Sequence, residues 1–389
     1  MSQTMLDDQQ VTTQVNTILS SALQKRASDI HLEPRERNLR VRFRIDGMLV
    51  EQTPVSKALT NSVIGRTKVL AQLDVAEKRM PQDGGFTHET SSGKARFRAS
   101  TLPTDWGEKI VLRLLSQRGV YLDLGRLGMS ETMAASMQRI VDQPDGVILV
   151  TGPTGSGKTS TLYSLLRCVD AKKRNVVTLE DPIEIRFPEV IQTRVHPKSG
   201  YTFAVGLRAI LRQDPDIVMV GEMRDIETAD TALKAGLTGH LVLSSLHTNS
   251  AVDTFLRLID MGLEPFVVAT SVRAVVSQRL VRRLCPECRL ATAPDEKTRE
   301  TLGITDPAQA IYEEQGCPKC VDTGYRGRLA LFEFLEVDDD LADLVKSEHA
   351  SRKEYRALLA TRDMQTLRAS GIKQVLAGTT TLREVLRVT

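Results

Sequence analysis

Residues 152–159 read Gly-Pro-Thr-Gly-Ser-Gly-Lys-Thr and match G-x-x-x-x-G-K-[ST], the pattern of a phosphate-binding loop. Glycines in this loop allow successive backbone N–H groups to point at phosphate oxygens. Lys158 is expected to reach the β- and γ-phosphates, and the Thr159 hydroxyl to bind Mg²⁺. The predicted nucleotide-binding residues are Gly152, Pro153, Thr154, Gly155, Ser156, Gly157, Lys158 and Thr159. The loop alone does not distinguish ATP from other nucleotides.

Hydrolysis of a bound nucleotide also needs a group that orients or deprotonates the attacking water. Glu222, which follows the apolar stretch 217–220, is the first candidate. Glu180 and Asp181 follow another apolar stretch, and we expect them to supply the remaining metal or water contacts. A simple turn at Asp181-Pro182 is the alternative interpretation.

Two histidines, His240 and His247, flank a predicted strand within the stretch GHLVLSSLHTN. His247, at the carboxyl end of a predicted strand, is expected to sense the γ-phosphate. His240, at the other end of this stretch, is predicted to contribute to nucleotide binding. A structural role for these histidines is the alternative.

Four of the five cysteines form two CxxC pairs, Cys285/Cys288 and Cys317/Cys320, separated by residues 289–316. Four thiolates in two such pairs suit a closed tetrahedral Zn²⁺ site with a structural role. A redox dithiol is the alternative. Cys168 falls in the predicted helix after the phosphate loop, where it is expected to be buried and inert.

The predicted elements around these residues alternate between strand and helix. Short apolar stretches at 147–151, 175–179, 216–220 and 240–245 are separated by amphipathic helical segments. This alternation predicts an α/β fold with a mostly parallel sheet covered by helices. A helix is predicted from Ser130 to about 142, and a cysteine module followed by a helical, charged tail is predicted after about 280.

The segment before the phosphate loop has a different, α+β pattern. A helix is predicted at 10–26, and strict alternation from Leu39 to Ile45 predicts a strand with Arg40, Arg42 and Arg44 on one face. A hairpin turn at Asp46-Gly47 leads to a return strand at 48–50. A further helix near 58–73 and strands near 94–114 complete the segment. The three glycines within 119–128 predict a linker.

Composition excludes several classes of protein. The 389 residues are 41% apolar and 26% charged, which is typical of a globular chain rather than a disordered one. No run of 18 apolar residues and no secretory signal is present, so the sequence predicts a cytoplasmic protein without a transmembrane segment. Residues 1–120 carry 18 Lys and Arg against 13 Asp and Glu, whereas the remainder carries 34 against 36. The net charge of +3 and the 4% aromatic content argue against a nucleic-acid partner.

The chain resembles the secretion ATPase family of type II secretion and type IV pilus assembly over nearly its whole length. The resemblance is carried by SDIHLEP (28–34), RFRIDG (42–47), EKRMPQDG (77–84), GPTGSGKT (152–159), TLEDPIE (178–184), LRAILRQDPDIVMVGEMRD (207–225), LTGHLVLSSLHTN (237–249) and the paired CPxC motifs. It implies a PAS-like domain at 1–118, a linker at 119–128 and a RecA-like P-loop motor domain at 129–389. The motor domain then includes a tetracysteine zinc module at 285–320 and a helical C-terminal part.

The resemblance also implies roles for individual residues. The family's acidic box matches Glu180, Asp181 and Glu184, its second acidic motif ends at Glu222, and its histidine box holds His240 and His247. Family arginines that reach the nucleotide match Arg42, Arg208 and Arg212. Another family arginine is replaced here by Lys57, which cannot make a bidentate contact. Arg40 is interpreted as ordinary surface charge.

Together these features predict a homo-hexameric ATPase that uses Mg-ATP to power assembly of a type IV pilus or a type II secretion pseudopilus. The resemblance implies a peripheral location at the inner membrane, beside a membrane platform protein. Because SDIHLEP begins at residue 28, the additional N-terminal docking domain of many secretion members is expected to be absent. The alternatives are a retraction or conjugation motor, a DNA-translocating ATPase and a nucleotide switch without turnover. The tetracysteine motif, typical of assembly-type members, argues against retraction.

Overall fold

The chain divides into two compact units, Met1–Gly119 and Val120–Thr389. The computed structural model describes residues 2–90, 93–115, 123–306, 308–347, 350–362 and 364–389, and only the backbone of residues 2–8 and 90. Within these ranges no helix has both the length and the apolar content needed to cross a bilayer.

In the residues that the structure describes, the first unit is a sheet of seven strands with two helices. Its elements are α1 (Ser2–Gln24), β1 (Asp29–Pro34), β2 (Asn38–Ile45), β3 (Met48–Glu51), β4 (Val55–Ser56), α2 (Lys57–Leu70), β5 (Asp83–Thr90), β6 (Gly93–Thr104) and β7 (Gly107–Leu115). The main strand order is β3-β2-β1-β7-β6-β5, with β4 paired to β2. The pairs are antiparallel. The α+β pattern predicted for this segment is therefore confirmed.

The alternation predicted for residues 39–45 is present in β2. Leu39, Val41, Phe43 and Ile45 are buried on one face. The arginines lie on the other face and pair with carboxylates of β1 and β3, as Arg40–Glu51, Arg42–Glu33 and Arg44–Asp29. The first helix begins at Ser2 rather than near residue 10.

The second unit contains a seven-stranded sheet in the order β10-β9-β11-β12-β8-β13-β16. The strands of the unit are β8 (Gly146–Thr151), β9 (Val176–Glu180), β10 (Ile191–Arg194), β11 (Ile217–Val220), β12 (Leu241–Leu246), β13 (Val272–Leu284), β14 (Leu290–Thr292), β15 (Ile311–Glu313) and β16 (Tyr325–Glu336). All neighbours in the seven-stranded sheet are parallel except β13 and β16. The predicted mostly parallel sheet is confirmed.

Helices cover both faces of this sheet. The helices of the unit, within the described residues, are α3 (Leu124–Leu127), α4 (Glu131–Val141), α5 (Lys158–Arg167), α6 (Phe203–Ile210), α7 (Ile226–Leu237), α8 (Ala251–Asp260), α9 (Pro265–Ser271), α10 (Glu296–Leu302), α11 (Asp339–Lys346), α12 (Arg352–Ala360), α13 (Leu367–Leu376) and α14 (Leu382–Val388). Val147 and Leu149 of β8 pack in one core, with residues of α7 and α8, while Ile148 and Val150 pack in another, with α4 and α5. Alternate residues of one buried strand therefore supply both hydrophobic layers.

Residues 124–127, in the second half of the predicted linker, form a helical turn whose Leu124 is buried against α5. Residues 119–122 of that linker lie outside the part of the chain that the structure describes. The sequence predicts a cysteine module and a helical tail after about residue 280. In the structure this segment also contains the end of β13 and the whole of β16, which pair antiparallel. This pair extends the sheet by two strands, so the tail becomes helical only from α11 onward.

A buried carboxylate joins β13 to α14. Glu384 is fully buried and accepts hydrogen bonds from the Arg282 backbone N–H at 3.0 Å and from the side chains of Arg282 and Arg387 at 2.5–2.9 Å. Burial alone would raise the pKa of Glu384, but these hydrogen bonds lower it from 4.5 to about 2. The ionised form is therefore the one that the fold stabilises.

This shift predicts a loss of stability at acid pH. Because the folded pKa of Glu384 lies below the unfolded value, its contribution is present above pH 4.5 and is lost as the pH falls from 4.5 towards 2. The contribution is on the order of 3 kcal/mol. Urea unfolding of wild type and Glu384→Gln between pH 7 and pH 3 measures it. The variant should be less stable at pH 7 and should lose less stability on acidification; parallel curves would contradict the assignment.

Candidate nucleotide site and cysteine cluster

The phosphate loop joins β8 to the N-terminus of α5. Gly152, Gly155 and Gly157 have positive φ angles of 147°, 78° and 92°, which side-chain-bearing residues rarely adopt. Lys158, the first residue of α5, folds back on the loop, and its Nζ donates to the carbonyls of Gly152 at 2.8 Å and Pro153 at 3.2 Å. Burial lowers the pKa of Lys158, and the nearby Glu222 opposes this effect. The loop therefore has the geometry and the cation that phosphate binding requires.

The floor of the loop is formed by β13. A Cβ atom at Gly152 would lie 2.5 Å from the Gln278 carbonyl oxygen, and one at Gly157 would lie 2.8 Å from Gln278 Nε2. Gln278 is fully buried, and its Oε1 accepts a 2.6 Å hydrogen bond from Thr161 of α5. Gln278 was not among the predicted site residues, because Ser277 and Arg279 beside it give no local signal of a buried position under the phosphate loop.

Next to Gln278, Arg279 links three segments of the unit. Its Nε donates to the Val388 carbonyl at 3.2 Å, and its Nη atoms donate to the carbonyls of Gln278 at 3.0 Å and Asn249 at 2.6 Å. The side chain is 7% exposed, and burial lowers its pKa. Arg279 therefore connects the strand under the phosphate loop with the segment after β12 and with α14.

Glu222, two residues beyond β11, lies beside His247, which follows β12. Glu222 Oε2 is 3.6 Å from His247 Nε2, and Glu222 Oε1 accepts a 2.5 Å hydrogen bond from Arg224. Burial alone would raise the pKa of Glu222, but Arg224 and His247 together lower it. Glu222 is thus ionised at neutral pH and able to accept a hydrogen bond from water.

Asp181 lies at the same edge of the sheet. Its negative charge, together with that of Glu222, raises the pKa of Arg224. Asp181 is exposed, so its carboxylate is open to water and to a metal ion. Since β8, β9, β11 and β12 run parallel, the residues after their carboxyl ends meet at one edge. The structure brings Lys158, Asp181, Glu222 and His247 to this edge, as the strand pattern predicted.

Glu180 is placed differently from its neighbour. It is 3% exposed, and both carboxylate oxygens are engaged: Oε2 accepts from the Tyr163 hydroxyl, while Oε1 accepts from Thr178 at 2.5 Å and Gln192 at 3.1 Å. Burial raises the pKa of Glu180, and these hydrogen bonds partly oppose that effect. Glu180 is therefore a buried carboxylate that ties β9 to α5 and β10, and its contact with water or metal stays a prediction.

His240 lies far from the phosphate loop of its own chain. It precedes β12, and its carbonyl accepts from the N–H of Gly146, the first residue of β8. The loop follows the other end of β8, about 20 Å away for a six-residue strand. His240 Nδ1 lies 3.2 Å from the Ala235 carbonyl of α7. His240 and His247 thus lie at opposite edges of the sheet, and a contribution of His240 to nucleotide binding stays a prediction.

The three predicted nucleotide arginines have protein partners. Arg42, in the first unit, donates to Glu33 at 2.7 Å, and hydrogen bonds from Arg42 and Lys109 hold the pKa of Glu33 at about 2, although burial opposes this. In the second unit, Arg208 of α6 pairs with Glu227 of α7, and Arg212 donates to the Arg208 carbonyl at 2.8 Å.

The four cysteines of the paired motifs form one cluster. Their Sγ atoms all lie within 4.8 Å of one another, with separations of 3.9 Å for Cys285–Cys317 and 3.8 Å for Cys288–Cys320. A tetrahedral site with Zn–S bonds of ~2.3 Å would place its sulfurs about 3.8 Å apart. Backbone N–H groups of residues 316, 317 and 324 point at the sulfurs of Cys288 and Cys320. The cluster is therefore able to bind a metal ion.

A glycine-rich loop before a helix, with carboxylates gathered at the same edge of a parallel sheet, defines a P-loop nucleotide-binding protein. The family model described as "Type II/IV secretion system protein" matches residues 4–387. The chain belongs to this family, and it is an ATPase.

Individual relatives agree with this assignment. The chain is 48% identical over 385 residues to "Type II secretion system protein E" of Klebsiella pneumoniae, covering 98% of this chain and 76% of the relative. It is 46% identical over 385 residues to "Type IV pilus assembly ATPase PilB" of Myxococcus xanthus, covering 98% and 68%. Among solved structures, the pilus retraction motor PilT with bound ADP is similar at a TM-score of 0.64, with 27% identity and 96% of each chain covered.

Proposed function

We propose that this chain is the motor of a filament-assembly machine, a homo-hexamer that hydrolyses Mg-ATP and drives assembly of a type IV pilus or a type II secretion pseudopilus. The observation that carries the proposal is the convergence of Lys158, Glu222 and His247 at one sheet edge, in a chain similar to both kinds of assembly ATPase. We further propose that the motor works on the cytoplasmic face of an inner membrane, against a membrane platform protein and without nucleic acid.

Each residue at the sheet edge receives a proposed role. The backbone N–H groups of residues 154–157 and the Lys158 ammonium hold the phosphates, and Thr159 holds Mg²⁺, which neutralises phosphate charge during hydrolysis. Glu222 orients or deprotonates the attacking water, with Asp181 as a metal or water contact. His247 is proposed to sense the γ-phosphate through Glu222, which lies 3.6 Å from its Nε2. These roles are supported by the exposed carboxylate of Asp181 and the low pKa of Glu222.

Arg42, Arg208 and Arg212 are proposed to reach the nucleotide in the hexamer. Arginines brought to the γ-phosphate would stabilise the charge of the transition state. Arg42 and Arg208 pair with carboxylates within the chain, and a phosphate would compete with those carboxylates. We also propose that the four cysteines hold a structural Zn²⁺, a role supported by sulfur separations of 3.8–3.9 Å.

Deletion of the gene in the source cell tests the proposed function. Surface filaments are counted by electron microscopy, and secreted proteins are assayed in the medium, with complementation by wild type or Lys158→Ala. We expect the deletion either to abolish surface filaments or to trap an exoprotein inside the cell. Wild type should reverse the defect, and Lys158→Ala should not. Which of the two defects appears identifies the machine. Longer or more numerous filaments in the deletion strain would indicate a retraction motor and overturn the proposal, as would unchanged filaments and secretion.

A further inference from the structure

Strand β12 contains two adjacent serines in a fully buried environment. Ser244 and Ser245 are 0% and 3% exposed, and the other four residues of the strand are apolar and buried. A buried hydroxyl is costly unless it is hydrogen-bonded. The bonds that these two hydroxyls make therefore explain their presence in the strand.

Both hydroxyls bond to the segment that leads from β11 to Glu222. Ser244 Oγ donates to the Val220 carbonyl at 2.7 Å, and Ser245 Oγ donates to the Gly221 carbonyl at 2.7 Å. The pairing of β11 with β12 ends at Val220 and Ser244. The Ser244 bond thus lies within the paired strands, whereas the Ser245 bond extends one residue beyond them.

Ser245 also holds the residue after Glu222. Its carbonyl accepts a 3.0 Å hydrogen bond from the Met223 N–H. The two residues that flank Glu222 are therefore both bound to Ser245, one through the hydroxyl and one through the backbone. On the opposite side, the Gly221 N–H donates to the Leu179 carbonyl of β9 at 2.8 Å.

The same strand end also carries His247, two residues after Ser245. Because Ser245 fixes the backbone on both sides of Glu222, it determines how the Glu222 carboxylate faces His247 Nε2, 3.6 Å away. A displacement of about 1 Å at a reacting group can cost 10²-fold in rate. The hydroxyl of Ser245 is thus in a position to control the rate of hydrolysis without contacting the nucleotide.

We propose that Ser245 is a positioning residue for Glu222 in ATP hydrolysis. The proposal rests on the role proposed for Glu222. Loss of the Ser245 hydroxyl releases the Gly221 carbonyl and lets the Glu222 carboxylate move, while the phosphate loop stays intact. Ser244, which has the same burial and an equivalent bond one residue earlier, does not share this role.

Steady-state ATPase assays on the full-length chain test the proposal, with Ser245→Ala compared with the matched control Ser244→Ala. Ser245→Ala should lower kcat by about 10- to 100-fold with KM for ATP within about twofold, whereas Ser244→Ala should stay within about twofold of wild type in both. Ser245→Thr, which keeps the hydroxyl, should restore kcat. Equal kcat values for the two alanine variants would overturn the proposal, as would a Ser245→Thr rate as low as that of Ser245→Ala.

A double-mutant cycle separates this proposal from the one for Glu222. If Ser245 acts through Glu222, adding Ser245→Ala to Glu222→Gln should leave the residual rate unchanged. A further fall of the same size as in the wild-type background would overturn the positioning role alone, whereas full turnover in Glu222→Gln itself would overturn the role of Glu222. If the alanine variant does not fold, Ser245→Cys, which is nearly isosteric, replaces it in the assay. Its kcat should lie between those of wild type and a variant without the hydroxyl. A wild-type kcat in Ser245→Cys would count against the proposal.

Discussion

Replacing Glu222 by glutamine should lower kcat for ATP hydrolysis by about 10²- to 10⁴-fold, the usual contribution of a positioned acid or base. The amide keeps the size of the side chain but loses the charge that Arg224 and His247 stabilise. Binding of ATP should remain, because the phosphate loop and Lys158 are untouched. Phosphate release measures turnover, and titration with a fluorescent ATP analogue measures affinity.

The matched control is Glu131→Gln, which makes the same chemical change in the exposed first turn of α4. It should leave both turnover and affinity within about twofold of wild type, the effect expected of a surface substitution. Turnover that survives in Glu222→Gln would contradict the assignment. In that case Asp181, the exposed carboxylate at the same edge, becomes the next residue to test, since both oxygens of Glu180 are already engaged.

The position of the site was predictable because its signals are local. A strand, a glycine-rich loop and a helix follow one another in the sequence, and parallel strands bring their carboxyl ends to one edge. Glu222 and His247 meet for that reason alone. The same rule places His240, which precedes β12, at the opposite edge of the sheet.

The environment of Glu180 was not predictable in this way. Its position after an apolar stretch is equivalent to that of an exposed acid, and only the packing of β9 against Tyr163 of α5 and Gln192 of β10 determines that it is buried. These partners are 17 and 12 residues away in the chain. Local patterns carry no information about such contacts, so Glu180 and Asp181 look alike in sequence although one is buried and the other is exposed.

Strands β13 and β16 illustrate the same limit at the level of the fold. The two strands pair in the sheet although the cysteine module separates them in the sequence; Gln278, for example, lies opposite Phe332. The segment 272–284 also contains Arg273, Gln278, Arg279 and Arg282, so its composition does not indicate a central strand. These polar side chains have partners elsewhere in the unit: Asp145 for Arg273, Thr161 of α5 for Gln278, the Asn249 carbonyl for Arg279 and Glu384 for Arg282.

Replacing Cys317 by serine should release the metal ion that we propose for the cysteine cluster. Loss of one of four thiolates should cost about 3 kcal/mol or more, a fraction of the ~10–16 kcal/mol by which zinc stabilises zinc-finger peptides. The fall in Tm should then be roughly 6–12 °C. The effect should extend to the C-terminal helices, because Leu284 donates to the Thr379 carbonyl at 2.8 Å and Arg289 to the Gly378 carbonyl at 2.5 Å. Metal per chain by mass spectrometry and thermal unfolding provide the two readouts.

Cys168→Ser is the matched control for this change. Cys168 is half-buried at the end of α5, its Sγ bonds to the Ser164 carbonyl at 3.3 Å, and burial raises its thiol pKa. It is not among the clustered cysteines, so its replacement should leave the metal content unchanged. A wild-type chain that is purified without metal, and whose Tm does not respond to added zinc or to a chelator, would refute the zinc assignment. A Cys317→Ser chain that retains one zinc with an unchanged Tm would show instead that three thiolates and an outside ligand are sufficient.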